Sequence, residues 1–290
     1  MMKIPVKNNY IWLIILLITT YGACSQDERK AMHFMKTGYN FPYNLSTPDR
    51  TWKLPGILYE ISGVSYIDDQ RLACVQDEKG MIFIFNKTAG NVERTISFGE
   101  DGDYEGIELI GNDAWILKSN GTLLEVKDYL NSEAPQVNKY STPLSGKNDT
   151  EGLAHDKESN SLLIACKEQA FVKAEDMTGS RAIYRFDLKT GLLAPEPYMI
   201  IKSEQHIGNN KFKPSGMAIH PVTGDIYIIA SAGKLMFVFS REKEMLAIIK
   251  LDPKLFPQPE GICFSPDGRL YISSEGAGGA GKILSFEPQK

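Results

Sequence analysis

The sequence predicts an all-β protein, a single β-propeller of five four-stranded blades. A glycine that follows a carboxylate or a serine recurs five times, at spacings of 43, 46, 64 and 45 residues. Each of these anchor glycines begins a short apolar segment, and turn residues separate that segment from further apolar segments of similar length. Because four strands in about 45 residues make one propeller blade, this repeat predicts the fold.

The strands of each blade can be assigned in order from the anchor glycines, which are Gly63, Gly106, Gly152, Gly216 and Gly261. The innermost strands read GVSYI, GIELI, GLAHD, GMAIH and GICFS. The second strands read RLACVQ, AWILK, LLIACK, IYIIAS and LYISS, and the third read GMIFIFN, GTLLEVK, AIYRFDL, KLMFVFS and GKILSFE. A fourth strand follows only in the first four units, as VERTISF, QVNKYST, PYMIIKS and MLAIIKL.

The last unit therefore lacks one strand, and the segment RTWKLP (residues 50–55) is expected to supply it. Closure by this N-terminal strand would leave the last blade without an exposed edge. An insertion at 168–180 and a long loop at 203–214 account for the wide spacing of 64 residues. A ring of six blades is the alternative.

The N-terminal region is typical of a secretory signal. Two lysines precede an apolar run over residues 10–20, which is too short to span a membrane. The following residues, GAC, resemble a bacterial lipobox, in which Cys24 becomes the lipidated first residue of the mature protein; ordinary cleavage near Ala23 is the alternative. The sequence thus predicts a lipoprotein of the bacterial cell envelope, anchored to the membrane through Cys24.

The predicted order of the chain is a signal peptide over 1–23, a polar tether over 24–42 and the propeller over 43–290. The net charge is −4 and no block of basic residues occurs, which argues against nucleic acid as the main partner. Three further cysteines lie in apolar strands and are predicted to be core residues, and the chain has no Cys/His cluster that would favour zinc. These cysteines are Cys74, Cys166 and Cys263.

Carboxylates recur at one mouth of the predicted channel. The innermost strand of each propeller blade lines the channel, and the residue before that strand lies at a mouth. Those positions hold Glu105, Glu151, Ser215 and Glu260, while Glu60 lies three residues before its glycine and out of step. The ends of the second strands return to the same mouth and bring further polar residues, namely Asp77, Lys118, Lys167, Glu168, Ser231, Ser274 and Glu275.

A cluster of carboxylates in a narrow channel needs compensation, because like charges raise one another's pKa. Oxygen ligands without His or Cys favour Ca²⁺, so the predicted metal ligands are the four glutamates Glu60, Glu105, Glu151 and Glu260. Two alternatives stay open. Lys118 and Lys167 could neutralise the carboxylates, or the glutamates could accept bonds from backbone N–H groups and so join the blades. Recurrence in four blades favours the metal.

The loop GEDGDYEG adds two more carboxylates close to Glu105, those of Asp101 and Asp103. It lacks the other ligands of an EF-hand loop, so a solvated turn is predicted there; extension of the carboxylate site is the alternative.

The anchor segments EISGVSY, DYEGIEL, DTEGLAHD, KPSGMAIHP and PEGICFSPDGRLYISSEG together resemble the SdiA-regulated family of bacterial envelope proteins, distant relatives of NHL-repeat propellers. The resemblance covers most of residues 50–290. It implies an exported or membrane-anchored propeller with a calcium site and no firmly assigned activity.

The predicted function is that of a lipid-anchored, calcium-binding propeller that presents its channel mouth to a small-molecule or protein ligand. The alternative is a calcium-dependent hydrolase, a lactonase or phosphoesterase, with Glu105 or Glu260 as base. His155 and His220 occupy equivalent places at the far ends of inner strands and are predicted to be turn residues of the opposite mouth. No nucleophile–base pair stands out, so no catalytic residue is assigned.

Overall fold

The protein is a five-bladed β-propeller. The structure, a computed structural model, describes residues 32–170, 179–203, 207 and 211–289. In these residues 22 strands form five antiparallel sheets arranged in a ring, and a 3₁₀ helix, Gly56–Leu58, precedes the first blade. No helix in the described part is long and apolar enough to cross a membrane. The predicted signal peptide and Cys24 lie outside the described residues.

The strands are numbered along the chain, beginning with β1 (Met32–Met35) and β2 (Arg50–Lys53). Blade 1 contains β3 (Ile61–Tyr66), β4 (Arg71–Gln76), β5 (Met81–Asn86) and β6 (Asn91–Ser97). Blade 2 contains β7 (Tyr104–Ile110), β8 (Asp113–Lys118), β9 (Leu123–Val126) and β10 (Val137–Tyr140). Blade 3 contains β11 (Thr150–Asp156), β12 (Ser161–Cys166), β13 (Arg181–Asp187), β14 (Leu192–Leu193) and β15 (Met199–Ile201). Blade 4 contains β16 (Lys213–Ile219), β17 (Ile226–Ala232), β18 (Leu235–Phe239) and β19 (Met245–Lys250). Blade 5 contains β20 (Gln258–Phe264), β21 (Leu270–Glu275) and β22 (Lys282–Phe286).

The N-terminal strand β2 closes the ring, and this prediction is confirmed. β2 pairs antiparallel with β22 as the outermost strand of blade 5, with Arg50 opposite Ser285. Trp52 stacks on Tyr271 of the same blade, with ring centres 6.3 Å apart. The Trp52 indole N–H also donates to the carbonyl oxygen of Lys87 in blade 1 (2.7 Å). The strand pairing covers the edge of β22, and the Trp52 hydrogen bond connects the last blade to the first.

The anchor glycines allow the inner strands to approach one another. The strand register shifts at every anchor, across the residue that precedes the glycine. Each glycine faces the inner strand of the next blade, so that a Cβ at Gly216 would overlap the carbonyl oxygen of Glu260. The last glycine, Gly261, returns to blade 1, where a Cβ would lie 2.8 Å from the backbone nitrogen of Val64. Glycine recurs because a side chain there would force neighbouring blades apart.

Five hydrophobic clusters fill the spaces between neighbouring blades, one cluster for each interface. The cluster between blades 5 and 1 includes Leu54, Ile61 and Ile283, which are all buried. The wide spacing before the fourth anchor corresponds to blade 3, where β14 and β15 both pair with β13. The count of five blades is therefore confirmed, and the alternative of six is wrong.

The segment before residue 43 differs from the predicted tether. β1 pairs with β19 and adds a fifth strand to blade 4. Tyr39 and Phe41 pack against the cluster between blades 4 and 5, and the hydroxyl oxygens of Tyr39 and Tyr227 are 3.3 Å apart. The apolar residues here are too sparse to show a strand period, yet they cover an otherwise open sheet edge. The ordered propeller thus includes residues 32–42, whereas residues 24–31 lie outside the described part.

Candidate functional site

Three glutamates converge where the inner strands begin, at a channel end that we call the N-side mouth. These residues, Glu105, Glu151 and Glu260, line one narrow space together with four of the anchor glycines. Each glutamate lies at the shift in strand register before its glycine, and such a bulge turns the side chain toward the channel. We call the three residues the carboxylate ring.

The two remaining blades have serines at the equivalent position. The Ser62 hydroxyl donates to the carbonyl oxygen of Tyr104 (2.6 Å), and the Ser215 hydroxyl donates to that of Pro259 (2.6 Å). Each acceptor belongs to the residue directly before a ring glutamate of the next blade. In the part of the chain that the structure describes, hydroxyl groups such as those of Ser62 and Ser215 make the side-chain hydrogen bonds between blades at this mouth, in place of the glutamates that one alternative had assigned to them.

Glu60 lies beside the ring, because Ser62 takes the equivalent place in blade 1. The Glu60 carbonyl oxygen accepts the backbone N–H of Asp77 (3.3 Å). Burial and then the charge of Glu60 raise the pKa of Asp77 to about 6. Burial, followed by the charges of Asp77 and Glu60, raises the pKa of Glu275 to about 7. These three carboxylates form a second acidic group at the N-side mouth.

Burial raises the pKa of every ring carboxyl, and the charge of Glu151 adds to this effect at Glu105 and Glu260. Burial and then the charge of Glu151 raise the pKa of Glu105 to about 10. Burial and then the charges of Glu151 and Glu275 raise the pKa of Glu260 to about 8. The pKa of Glu151 rises only to about 7, since Lys167 opposes the effect of burial. At neutral pH, Glu105 and Glu260 therefore hold protons, and Glu151 has a cationic partner.

The two predicted lysines behave differently. Lys167 forms an ion pair with Glu151 and lies 3.7 Å from Asp149. Lys118 instead places its ammonium nitrogen 4.9 Å from the ring centre of Tyr104. The neutralising alternative thus holds for Lys167 and is wrong for Lys118.

Strand register explains this difference. Lys118 pairs with Tyr104, whereas Cys166 is the residue that pairs with Thr150 at the same level of blade 3. Lys167 lies one residue further on, and because side chains alternate along a strand, it points to the channel. The residues equivalent to Lys167 in blades 1, 2, 4 and 5 are Asp77, Ser119, Ser231 and Glu275.

The other predicted residues of this mouth make local contacts. Glu168 forms an ion pair with Lys213 of the next blade. The Ser231 hydroxyl hydrogen-bonds the Glu260 carboxyl. Glu168 thus connects blades 3 and 4 and is no part of the ring.

The two aspartates of the acidic loop before β7 make different contacts. Asp101 is exposed and pairs with Lys79 (2.6 Å), as expected of a solvated turn. Asp103 hydrogen-bonds the Glu105 carboxyl and accepts the hydroxyl of Ser119. Asp103 is exposed as well, as the prediction of a solvated turn requires, and it contacts the ring from this turn. Its role was hidden because the contact depends on Ser119 in the neighbouring turn.

The ring does not have the geometry of a metal site in this arrangement. Within the described ranges, no group of three or more His, Cys, Asp or Glu side chains is placed to hold a metal ion. The oxygen donors themselves suit calcium. The Lys167 ammonium, however, faces Glu151 and provides the positive charge that a metal would bring. Calcium binding by Glu60, Glu105, Glu151 and Glu260 stays a prediction.

A larger cavity, of about 440 Å³, opens where the inner strands end, at what we call the C-side mouth. Its wall includes His155 and His220, together with Glu108 of β7. Glu108 was not predicted from the sequence to be a site residue. The only signal was a carboxylate inside the apolar strand GIELI, three residues after Glu105.

The comparisons with known proteins agree with this architecture. The sequence has no significant match among curated proteins. The structure is similar to a PQQ-bound aldose sugar dehydrogenase from Streptomyces coelicolor, with a TM-score of 0.52 and 12% identity over 83% of this chain and 97% of that one. It is also similar to a luciferin-regenerating enzyme, with a TM-score of 0.50 and 13% identity over 83% of this chain and 95% of that one. Identities this low show a shared fold alone.

The family comparison covers most of the propeller. The model of the family described as SdiA-regulated matches residues 41–277, which contain all five anchor glycines and the carboxylate ring. The chain therefore belongs to the SdiA-regulated family.

Proposed function

We propose that this chain is an exported, lipid-anchored propeller of the bacterial cell envelope that binds calcium at the carboxylate ring. Its N-side mouth then presents a charged surface to a small-molecule or protein ligand. The observation that supports this proposal is the convergence of Glu105, Glu151 and Glu260 on one narrow space. A single ammonium, that of Lys167, pairs with one of the three carboxyls.

Charge balance supports a divalent cation. At neutral pH the ring is neutralised by protons on Glu105 and Glu260 and by Lys167 beside Glu151. A calcium ion brings the same charge as two protons, so it can replace them without leaving unpaired charge in the channel. Calcium held by Glu105 and Glu260 leaves Lys167 paired with Glu151. If Glu151 is a ligand as well, Lys167 must move away from it, and one negative charge in the ring is then uncompensated. Competition with Lys167 and with protons would make calcium affinity rise with pH.

Without calcium, the melting temperature is expected to fall as the pH rises from 5 to 8.5. The pKa values of Glu151 and Glu260 are about 7 and about 8 in the folded chain, against an ordinary value of 4.5. The folded chain thus binds more protons than the unfolded chain, and stability is lost as the pH rises through the folded-state pKa values. Added calcium should raise the melting temperature more at pH 8.5 than at pH 5.5. Scanning calorimetry with calcium or with chelator measures both effects.

Substitutions in the carboxylate ring distinguish neutralisation by calcium from neutralisation by Lys167. Glu260→Gln should weaken calcium binding, yet in chelator at pH 8.5 it should be neutral or stabilising, because it removes repulsion. Glu151→Gln should be destabilising in both media, because it leaves Lys167 without its partner. Glu133→Gln, an exposed substitution of the same chemistry, is the control. A wild-type protein that melts identically with calcium and with chelator would contradict the calcium site.

Lipid anchoring has a separate test. Cys24→Ser should move the mature chain from the membrane fraction to the soluble fraction, because the acyl chains that anchor a lipoprotein are attached at that cysteine. Cys166→Ala, a substitution at a buried cysteine, should leave the membrane association unchanged. Fractionation followed by immunoblotting measures the distribution. Persistence of the Cys24→Ser chain in the membrane fraction would exclude the anchor.

The calcium-dependent hydrolase finds less support. Glu105 is one of the two residues predicted to act as base. Burial raises its pKa to about 10, so its carboxyl is protonated at neutral pH. A general base must be unprotonated at the working pH. The binding function is therefore the stronger proposal.

A further inference from the structure

We propose that the cavity at the C-side mouth binds a small organic cation, an ammonium group on an apolar or aromatic body, with Glu108 as its counter-ion. This site lies at the opposite end of the channel from the carboxylate ring and does not depend on calcium.

The cavity has the size and lining of a ligand site. All five inner strands contribute to its wall, and its volume is about 440 Å³. The lining combines polar groups with apolar and aromatic side chains, including Tyr66, Leu109, Ile219 and Phe264 from four different blades. A concave space in which polar groups converge among apolar and aromatic side chains is typical of small-molecule sites. Such walls accommodate the body of a ligand and leave its polar end to Glu108.

Among the residues that the structure describes, no cation forms an ion pair with Glu108. Its carboxylate oxygens accept the backbone N–H groups of His155 and Leu109, each at 3.3 Å. None of the ion pairs in the described part of the chain includes this carboxylate. Burial raises the pKa of Glu108 to about 7, so ionisation of this carboxyl costs more free energy than it does in water. A ligand ammonium would supply the missing charge.

His155 provides a second polar group beside Glu108. Its Nε2 atom is shielded from solvent and has no hydrogen-bond partner among the described residues. Burial lowers the pKa of His155, so the ring is neutral and Nε2 can accept a hydrogen bond in the tautomer protonated at Nδ1. The contact between the His155 backbone and Glu108 places the two residues side by side. An ammonium group has three N–H donors and can satisfy both.

The other titratable groups of the lining do not compete for Glu108. His220 Nδ1 accepts two backbone N–H groups, and burial lowers the pKa of His220, which is therefore neutral. Burial and then the charge of Glu108 raise the pKa of Cys263 well above its ordinary value, so its thiol stays protonated. Arg241 pairs with Glu158 at 2.7 Å. Lys157, the remaining cation of the lining, is exposed to solvent at the rim, and its charge lowers the pKa of Glu108 by less than burial raises it.

The test compares three molecules of one shape and different charge. Benzylamine, benzyl alcohol and benzoate are titrated into the full-length chain at pH 8 and followed by ligand-observed NMR. Benzylamine should bind at least about tenfold more tightly than benzyl alcohol, as a charged hydrogen bond requires, and benzoate should not bind. Glu108→Gln should abolish the advantage of the amine. Glu158→Gln, which removes a carboxylate from the rim only, should retain it.

A measurement on the wild type covers the case in which Glu108→Gln fails to fold. Between pH 8 and pH 5.5 benzylamine stays charged while Glu108 takes up a proton, so its affinity should fall about tenfold or more. The affinity of benzyl alcohol should stay constant over the same range. Equal binding of the amine and the alcohol, a pH-independent affinity of the amine, or no binding of any of the three would overturn the proposal.

Discussion

Deletion of residues 1–55 is expected to leave a chain that aggregates instead of folding. This deletion removes β2, which pairs with β22 and covers the edge of blade 5. It also removes Trp52 and the buried Leu54, and the loss of two such side chains costs at least about 5 kcal/mol. That loss is comparable to the whole stability of many domains, about 5–15 kcal/mol. Thermal melting and size-exclusion chromatography of the purified chains measure the effect.

Two shorter deletions serve as controls. Removal of residues 1–31 leaves every described strand in place and should preserve the melting temperature. Removal of residues 1–42 takes away β1, Tyr39 and Phe41 from the edge of blade 4, so an intermediate melting temperature is expected. If all three chains melt together, β2 does not close the ring.

Gly216→Ala is expected to destabilise the propeller by at least about 3 kcal/mol, because the new methyl group would overlap the carbonyl oxygen of Glu260. That oxygen belongs to the inner strand of the next blade, so the overlap is relieved only by separating blades 4 and 5. For a chain of this size the melting temperature should fall by roughly 6–12 °C. The same displacement would move Glu260 and reduce any calcium response of the ring.

Gly56→Ala is the matched control. A Cβ at Gly56 meets nothing within 4 Å, so this substitution should change the stability by less than about 0.5 kcal/mol. Similar melting temperatures for the two variants would show that the anchor glycines do not determine how closely the blades approach.

The fold could be predicted from the sequence because its signals are local and repeated. Apolar strands, turn residues and five anchor glycines recur in register, and each blade repeats the same requirements for burial and hydrogen bonding. The closing strand β2 was also predictable, since blade 5 lacked one strand. The strand β1 was not, because its few apolar residues acquire a partner only when the edge of β19 is present.

The ring glutamates were predictable in part. Glu105, Glu151 and Glu260 directly precede anchor glycines, and the structure brings them together as the repeat suggests. Glu60 did not follow this rule, and Ser62 takes its place, because the bulge selects the residue next to the glycine. Sequence spacing alone could not show which residue a bulge turns toward the channel.

By itself the sequence determined a closed propeller with acidic residues at the start of its inner strands. Only the tertiary structure decided what those residues meet. A one-residue difference in register directs Lys167 to Glu151 and Lys118 to Tyr104. Glu108 and His155 meet at the C-side mouth, although 47 positions separate them in the chain. The periodicity of the sequence indicates which strands are buried and which strands pair. Contacts between blades depend instead on strand twist, on bulges and on closure of the ring, and these cannot be inferred from a single repeat.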